Sequence, residues 1–286
     1  MSTQAQLQPI ANACHLGRAR QERIAIGQAF VDRCSFDEAI SRITAHALAE
    51  GAAPAYVVTP NAQHIVLLAR DSRLRAIYRE ADLVVPDGFS LLLAARALGH
   101  RFPERVPGVD LFQALCGSAA ETGLRVFLLG GRPGSADQAA SVMQERFPGL
   151  ETATYCPPLG FEKSDVELAR VSQAVKTFRP DLLFVALGAP KQEYWMYEHG
   201  RKLGAAVCIG VGGSFEMVTG IVPRAPRWMQ SIGCEWVYRL CQEPRRMWRR
   251  YLVGNVQFGW ILLQQAMARG PHTLRQAAGA SSGDRS

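Results

Sequence analysis

Short apolar runs separated by amphipathic stretches narrow most sharply what this chain can fold into. Ala55 to Val58, Leu83 to Val85, Val126 to Leu129, Leu182 to Leu187 and Ala206 to Val211 are brief and apolar throughout. Such runs suit strands buried on both faces, as in parallel sheets. Between them, Ala62, Ile65, Val66 and Ala69 repeat at helical spacing, and residues 135 to 147 read as another helix. Phe30-Val31 fits a further strand. Ser35 with Glu38, and Ser164 with Glu167, have capping-box spacing at helix starts. Thr59-Pro60 reads as an N-cap and first helical residue, and Asp87-Gly88 as the opening of a helix.

Strands alternating with helices imply parallel pairing through right-handed crossovers. The fold class expected is α/β: a doubly wound, mostly parallel, Rossmann-like sheet over residues 24–220, preceded by a loose leader (1–23). A helical C-terminal appendage (221–268) and a disordered tail (269–286) follow. Ligands of such sheets sit beyond the carboxyl ends of the strands. Thr59, Asn61, Asp87, Gly130, Gly131, Gln192, Gly212 and Gly213 all fall in those turns.

Composition excludes several classes. Of the 286 residues, 48% are hydrophobic, which argues against general disorder. No apolar run reaches the ~18 residues of a spanning helix. Met1 to Arg20 has no apolar signal core, so a cytoplasmic location is expected. The seven cysteines form no C-x-x-C pair and the six histidines no metal-ligand spacing, so neither a disulfide frame nor a metal site is expected.

The charge is uneven. Residues 223–268 hold seven arginines (224, 227, 239, 245, 246, 249 and 250), no lysine, two acids and four of the five tryptophans. At 100° per residue, Arg245, Arg246, Arg249 and Arg250 share one side of a helix, and Met247, Trp248, Tyr251 and Leu252 the other. That pattern fits an anionic bilayer surface, although aromatic and basic residues also suit nucleic acid.

Gly130-Gly131-Arg132-Pro133-Gly134 suits either a diphosphate cradle or a tight turn, and Gly210-Val211-Gly212-Gly213 misses the dinucleotide pattern at Phe215. Asp87 is either a helix cap or a general base. Thr59, Asn61 and Gln192 are either first-turn residues or pocket residues. No D-x-D is present to hold a metal on a leaving diphosphate, which would leave neutralisation to arginines.

Several runs together resemble one family. They are Val58-Thr59-Pro60-Asn61-Ala62, Ala81 to Gly88, Arg105 to Asp110, Leu129-Gly130-Gly131, Gly188 to Glu193 and Gly210 to Phe215. Pro223 to Pro226 with Trp228, Glu235-Trp236 and Gln242 to Arg246 complete the set. In this order, over about Ile24 to Leu263, they resemble the WecG/TagA/CpsF glycosyltransferases, glycosyltransferase family 26. The resemblance implies inverting transfer of a hexose, N-acetylmannosamine or its uronic acid, from a UDP-sugar. The implied acceptor is a sugar on undecaprenyl diphosphate at the inner face of the cytoplasmic membrane. No metal or other cofactor is implied.

By motif, Asp87 becomes the base. Thr59, Asn61, Gln192, Arg105, Asp110, Gly130, Gly131, Gly212 and Gly213 become substrate-binding residues. Arg224, Arg227, Arg239, Arg245 and Arg246 become contacts for diphosphate or lipid. The expected partners are the UDP-sugar, the lipid-linked glycan and an anionic membrane surface, with no nucleic acid, and self-association is left open. A nucleic-acid-binding module and a nucleotide-dependent oxidoreductase remain the alternatives.

Overall fold

The structure, a computed structural model, describes Leu16 and residues 22–268; the side chains of Arg246 and Arg250 fall outside the described residues. A hairpin of β1 (Arg23–Ile26) and β2 (Ala29–Asp32) leads into α1 (Phe36–Leu48) and β3 (Ala55–Val58). Next come α2 (Ala62–Arg70), α3 (Ser72–Glu80), β4 (Leu83–Val84), α4 (Phe89–Ala97), α5 (Gly108–Thr122) and β5 (Val126–Gly130). The second half adds α6 (Ser135–Arg146), β6 (Thr152–Tyr155), α7 (Asp165–Phe178), β7 (Leu182–Ala186), α8 (Lys191–His199), β8 (Val207–Gly210) and α9 (Ser214–Val218). The chain ends in α10 (Arg227–Ser231), α11 (Glu235–Gln242), α12 (Pro244–Trp248), a π turn (Arg249–Val253) and α13 (Gly254–Ala268).

Six strands form one all-parallel sheet in the order β4-β3-β8-β7-β5-β6. The expected α/β fold is present, with helices on both faces. Alternation along each strand feeds two apolar clusters. Val58, Phe127, Leu129, Leu183 and Val185 face α2, α3, α7 and α8; Val57, Val126, Leu128, Leu182 and Phe184 face α1, α5 and α6. Burying each such side chain is worth about 1.5–3 kcal/mol. From β3 the chain steps outward to β4, crosses through α5 to β5, then returns inward to β8. That reversal opens a crevice at the carboxyl ends of the strands.

The two strands missed in the sequence are not buried along their whole length. β6 is half-buried along its length at the sheet edge, and β1 alternates between buried and half-buried residues. Asp32 closes the opposite edge: its Oδ2 accepts from Val84 N–H at 2.8 Å, and its Oδ1 pairs with Arg23 at 2.9 Å.

Local expectations were met in part. Ser35 and Glu38 make the reciprocal capping box. Ser164 accepts from Glu167 N–H, but the Glu167 carboxylate pairs with Arg170 instead of completing the second box. Asn61, not Thr59, is the N-cap of α2. Most of the leader and the whole tail lie outside the described residues. Leu16, within the stretch read as loose, is buried, and its N–H donates to His46 Nδ1 at 3.4 Å.

The C-terminal helices do not keep the single helical phase expected of them. Met247 is buried, whereas Trp248 and Leu252 are exposed. The π turn at 249–253 shifts the angular register. α13 lies on α2, with Phe258 in the core and Ile261 and Leu262, partly buried, packed against it. Gln265 Oε1 accepts from Gly27 N–H and its Nε2 donates to Ala25 O, both at 2.8 Å. Gly27 has φ +57, and a Cβ there would meet Ile65 at 2.9 Å and Ile261 at 3.0 Å. Among the described residues, no helix is long and apolar enough to cross a membrane.

Candidate active site

Asp87 lies three residues beyond β4. Its N–H donates to Pro60 O at 3.0 Å, and Val106 N–H donates to Pro86 O at 2.8 Å, so the backbone on either side is pinned. Gly88, not Asp87, is the N-cap of α4. The Asp87 carboxylate instead faces the start of α5, where Oδ1 accepts from Gly108 N–H at 3.1 Å. Burial raises its pKa most. The Gly108 bond opposes that shift, Glu235 adds to it, and Arg105 and His64 oppose it. This is a carboxylate with raised proton affinity at the mouth of a crevice, which suits a general base.

Thr59 and Asn61 stand at the end of β3. Thr59 Oγ1 donates to Gly210 O at 2.9 Å, tying β3 to β8. Asn61 Oδ1 accepts from Gln63 N–H at 3.1 Å. Gln192, in the first turn of α8, is buried; its Oε1 accepts from Gly212 N–H at 3.0 Å and its Nε2 donates to Glu193 Oε1 at 2.9 Å. Little of Gln192 is left to face a ligand.

The glycine loops are engaged in the same way. Gly131 N–H donates to Ala186 O at 2.8 Å, and Arg132 N–H to Glu216 Oε1 at 2.7 Å. Gly131 has φ +81, and a Cβ there would overlap Ser135 Oγ. Thus the chain's own Glu216 carboxylate occupies the Arg132 N–H of this turn. Arg239 reaches Gly213, its Nη2 lying 3.9 Å from where a Cβ would stand.

Three ion pairs fasten the C-terminal helices across the crevice. Arg224 forks onto Asp110 at 2.5 and 2.7 Å, Arg105 meets Glu235 at 3.1 Å, and Arg132 meets Glu243 at 3.1 Å. Asp110 therefore orients an arginine. Arg224 Nε is buried without a hydrogen-bond partner, and Arg224 feels the charges of Glu235 and Asp87. Arg227 and Arg245 are exposed, and the Arg246 side chain lies outside the described residues.

A cavity of about 300 Å³ opens beside the crevice, lined by Gly130, Gly131, Phe161, Leu187, Lys191 and Trp195. Asp87, Thr59, Asn61 and Gln192 do not line it. Neighbouring strands lie about 4.8 Å apart, so the ends of β4 and β5, four steps apart in the sheet, are separated by roughly 19 Å. Among the described residues, no three His, Cys, Asp or Glu side chains group as metal ligands.

The comparisons decide between the chemistries such a crevice permits. The family described as Glycosyl transferase WecG/TagA/CpsF matches residues 24–271. The chain belongs to this family. Its relatives include the protein named N-acetylglucosaminyldiphosphoundecaprenol N-acetyl-beta-D-mannosaminyltransferase from Bacillus spizizenii, 32% identical over 222 residues, which are 78% of this chain and 84% of the relative. The protein of that name from Bacillus subtilis strain 168 is 31% identical over 69% of this chain and 75% of its own. The one from Staphylococcus aureus strain MW2 is 29% identical over 68% and 74%. The WecG/TagA/CpsF chain is thus a hexosyltransferase, and family membership sets aside the oxidoreductase and nucleic-acid-module readings.

Four acidic or imidazole side chains around this glycosyltransferase's crevice were assigned no role in the sequence: His64, Glu193, Glu216 and Glu235. Glu193 and Glu235 stand inside recognised runs, which was the available signal. His64 and Glu216 carried none.

The electrostatics of Asp87 give a pH prediction. With Asp87 as the base, its raised pKa is expected to place the acid limb of kcat/KM above the ordinary carboxylate range. Glu235→Gln removes a charge that raises the pKa, so the limb should move to lower pH; Arg105→Gln removes an opposing charge, so it should move higher. Profiles of the three proteins check both signs.

Proposed function

We propose that this glycosyltransferase moves a hexose, N-acetylmannosamine or its uronic acid, from a UDP-sugar to a sugar on undecaprenyl diphosphate. The product would serve cell-surface polysaccharide or teichoic-acid-type assembly. The observation that carries the reading is Asp87, set against the start of α5 with Arg105 and Arg224 in electrostatic range. The relatives' printed names support the lipid-linked acceptor, and a β-linked product formed from an α-linked nucleotide sugar is an inversion.

Inversion needs one displacement. The acceptor hydroxyl attacks the anomeric carbon, Asp87 takes its proton, and the bond from that carbon to the diphosphate oxygen breaks. Arg224 and Arg105 meet the charge that develops on the departing UDP. The cavity beside Gly130 suits the nucleoside, and the roughly 19 Å between the ends of β4 and β5 suits an extended nucleotide-sugar reaching toward Asp87. Trp228, Trp236, Trp248 and Trp260 are exposed, as are Arg245 and Arg249. That surface suits docking on the anionic inner face of the cytoplasmic membrane.

The test is a panel of UDP-sugars offered with a short-chain prenyl-diphosphate glycan, with and without EDTA. Product mass and anomeric configuration are the readouts. The expected product is one β-linked hexose added at an undiminished rate in EDTA. Retention of configuration, loss of activity in EDTA or no turnover with any UDP-sugar would refute the corresponding part of the reading.

A further inference from the structure

We propose that His64 and Glu193 are positioning residues, forming a buried brace that fixes Asn61 and the Gly212 loop relative to one another across the crevice. The inference rests on the donor-crevice reading above and adds two residues to it.

The brace is a chain of close polar contacts, hydrogen-bonded at every step but the one between His64 and Glu193. Asn61 N–H donates to His64 Nδ1 at 3.2 Å. His64 Nε2 stands 3.3 Å from Glu193 Oε1. Gln192 Nε2 donates to the same oxygen at 2.9 Å, and Gln192 Oε1 accepts from Gly212 N–H at 3.0 Å. Two neutral tautomers fit the Asn61 contacts. When Nδ1 accepts from Asn61 N–H, the ring hydrogen is on Nε2, the side of Glu193. Nδ1 is also 3.0 Å from Asn61 Oδ1, and a bond there places the hydrogen on Nδ1 and leaves Nε2 without one.

These links join the ends of β3, β7 and β8, three adjacent strands of the sheet. Glu193 is 0% exposed, Gln192 3% and His64 6%. Glu193 Oε2, His64 Nε2 and Tyr78 Oη have no hydrogen-bond partner among the described residues. A buried, half-satisfied carboxylate is costly, and an apolar side chain would fill the space more stably. Gly210 leaves room for the brace: a Cβ there would meet Gln192 Nε2 and Met196 Cε at 2.9 Å. Burial, with the charges of Glu193 and then Asp87, holds the Tyr78 hydroxyl protonated. Tyr78 therefore lies within the field of both the brace and the base.

The test compares wild type with Glu193→Ala, Glu193→Gln and His64→Gln, using donor-varied kinetics, UDP calorimetry and thermal melting. Glu193→Ala leaves the buried Gln192 Nε2 donor unpaired and removes the carboxylate beside His64, so donor KM should rise about tenfold, with a much smaller change in kcat. Glu193→Gln keeps an acceptor for Gln192 Nε2 and should restore donor KM to within about threefold of wild type. A lower melting point and smaller active fraction in Glu193→Ala, with donor KM unchanged, would overturn the brace. If Glu193→Ala does not fold, His64→Gln, which disturbs the contacts to Asn61 and Glu193 but spares the Gln192–Gly212 bond, carries the same test: a raised donor KM supports the brace and an unchanged one overturns it. Failure of wild type to bind UDP would remove the donor reading itself. Wild-type binding with equal binding by every folded variant would remove only the brace.

Discussion

Asp87→Asn is expected to lower kcat by about 10²- to 10⁴-fold, the range for loss of a general base, while UDP binding persists. Asparagine still offers an oxygen to Gly108 N–H, so the loop after β4 should keep its course. Stability should hold or increase. The folded-state pKa of Asp87 is raised, so its charged form is penalised above the unfolded-state pKa. That penalty is relieved as pH falls through the folded-state pKa. Removing the charge removes the penalty at neutral pH, and the amide variant should melt no lower than wild type. Single-turnover assays with UDP calorimetry and melting curves check all three parts. Near-normal turnover would take the base role away from Asp87.

Arg224→Ala should reduce kcat/KM by about 10²- to 10³-fold, comparable to losing one donor to a developing anion. The Asp110 fork keeps this guanidinium charged and leaves Nε as its buried, unpartnered N–H. An ammonium group cannot make the two parallel bonds, so Arg224→Lys should recover little. Asp110→Asn should give an intermediate loss, because one arm of the fork survives. The effect belongs mainly in kcat if Arg224 meets the charge of the leaving group. Wild-type kinetics in Arg224→Lys would show that the fork only fastens the C-terminal helices.

The central strands were legible because burial on both faces leaves a continuous apolar run, as in Leu182 to Ala186. β6 was not, because Thr152 to Tyr155 is half-exposed and reads as loop. Asp87 and Gly131 were legible from their places after strands. The partner of each was not: Gly108 lies 21 residues from Asp87, and Glu216 lies 84 from Arg132. The glycine run suited either a diphosphate cradle or a tight turn, and folding brings the chain's own Glu216 carboxylate to the next N–H. His64 and Glu193 showed only as polar residues at helix starts, since their meaning depends on β3 and β7 both flanking β8. The π turn left no mark on the 100° wheel from which the arginine face was drawn.

Gln265 grips Gly27 and Ala25 from 238 and 240 residues away. A chain leaving the ribosome therefore makes its opening hairpin long before the side chain that finishes it. The hairpin must hold its place until α13 has been made and packed on α2.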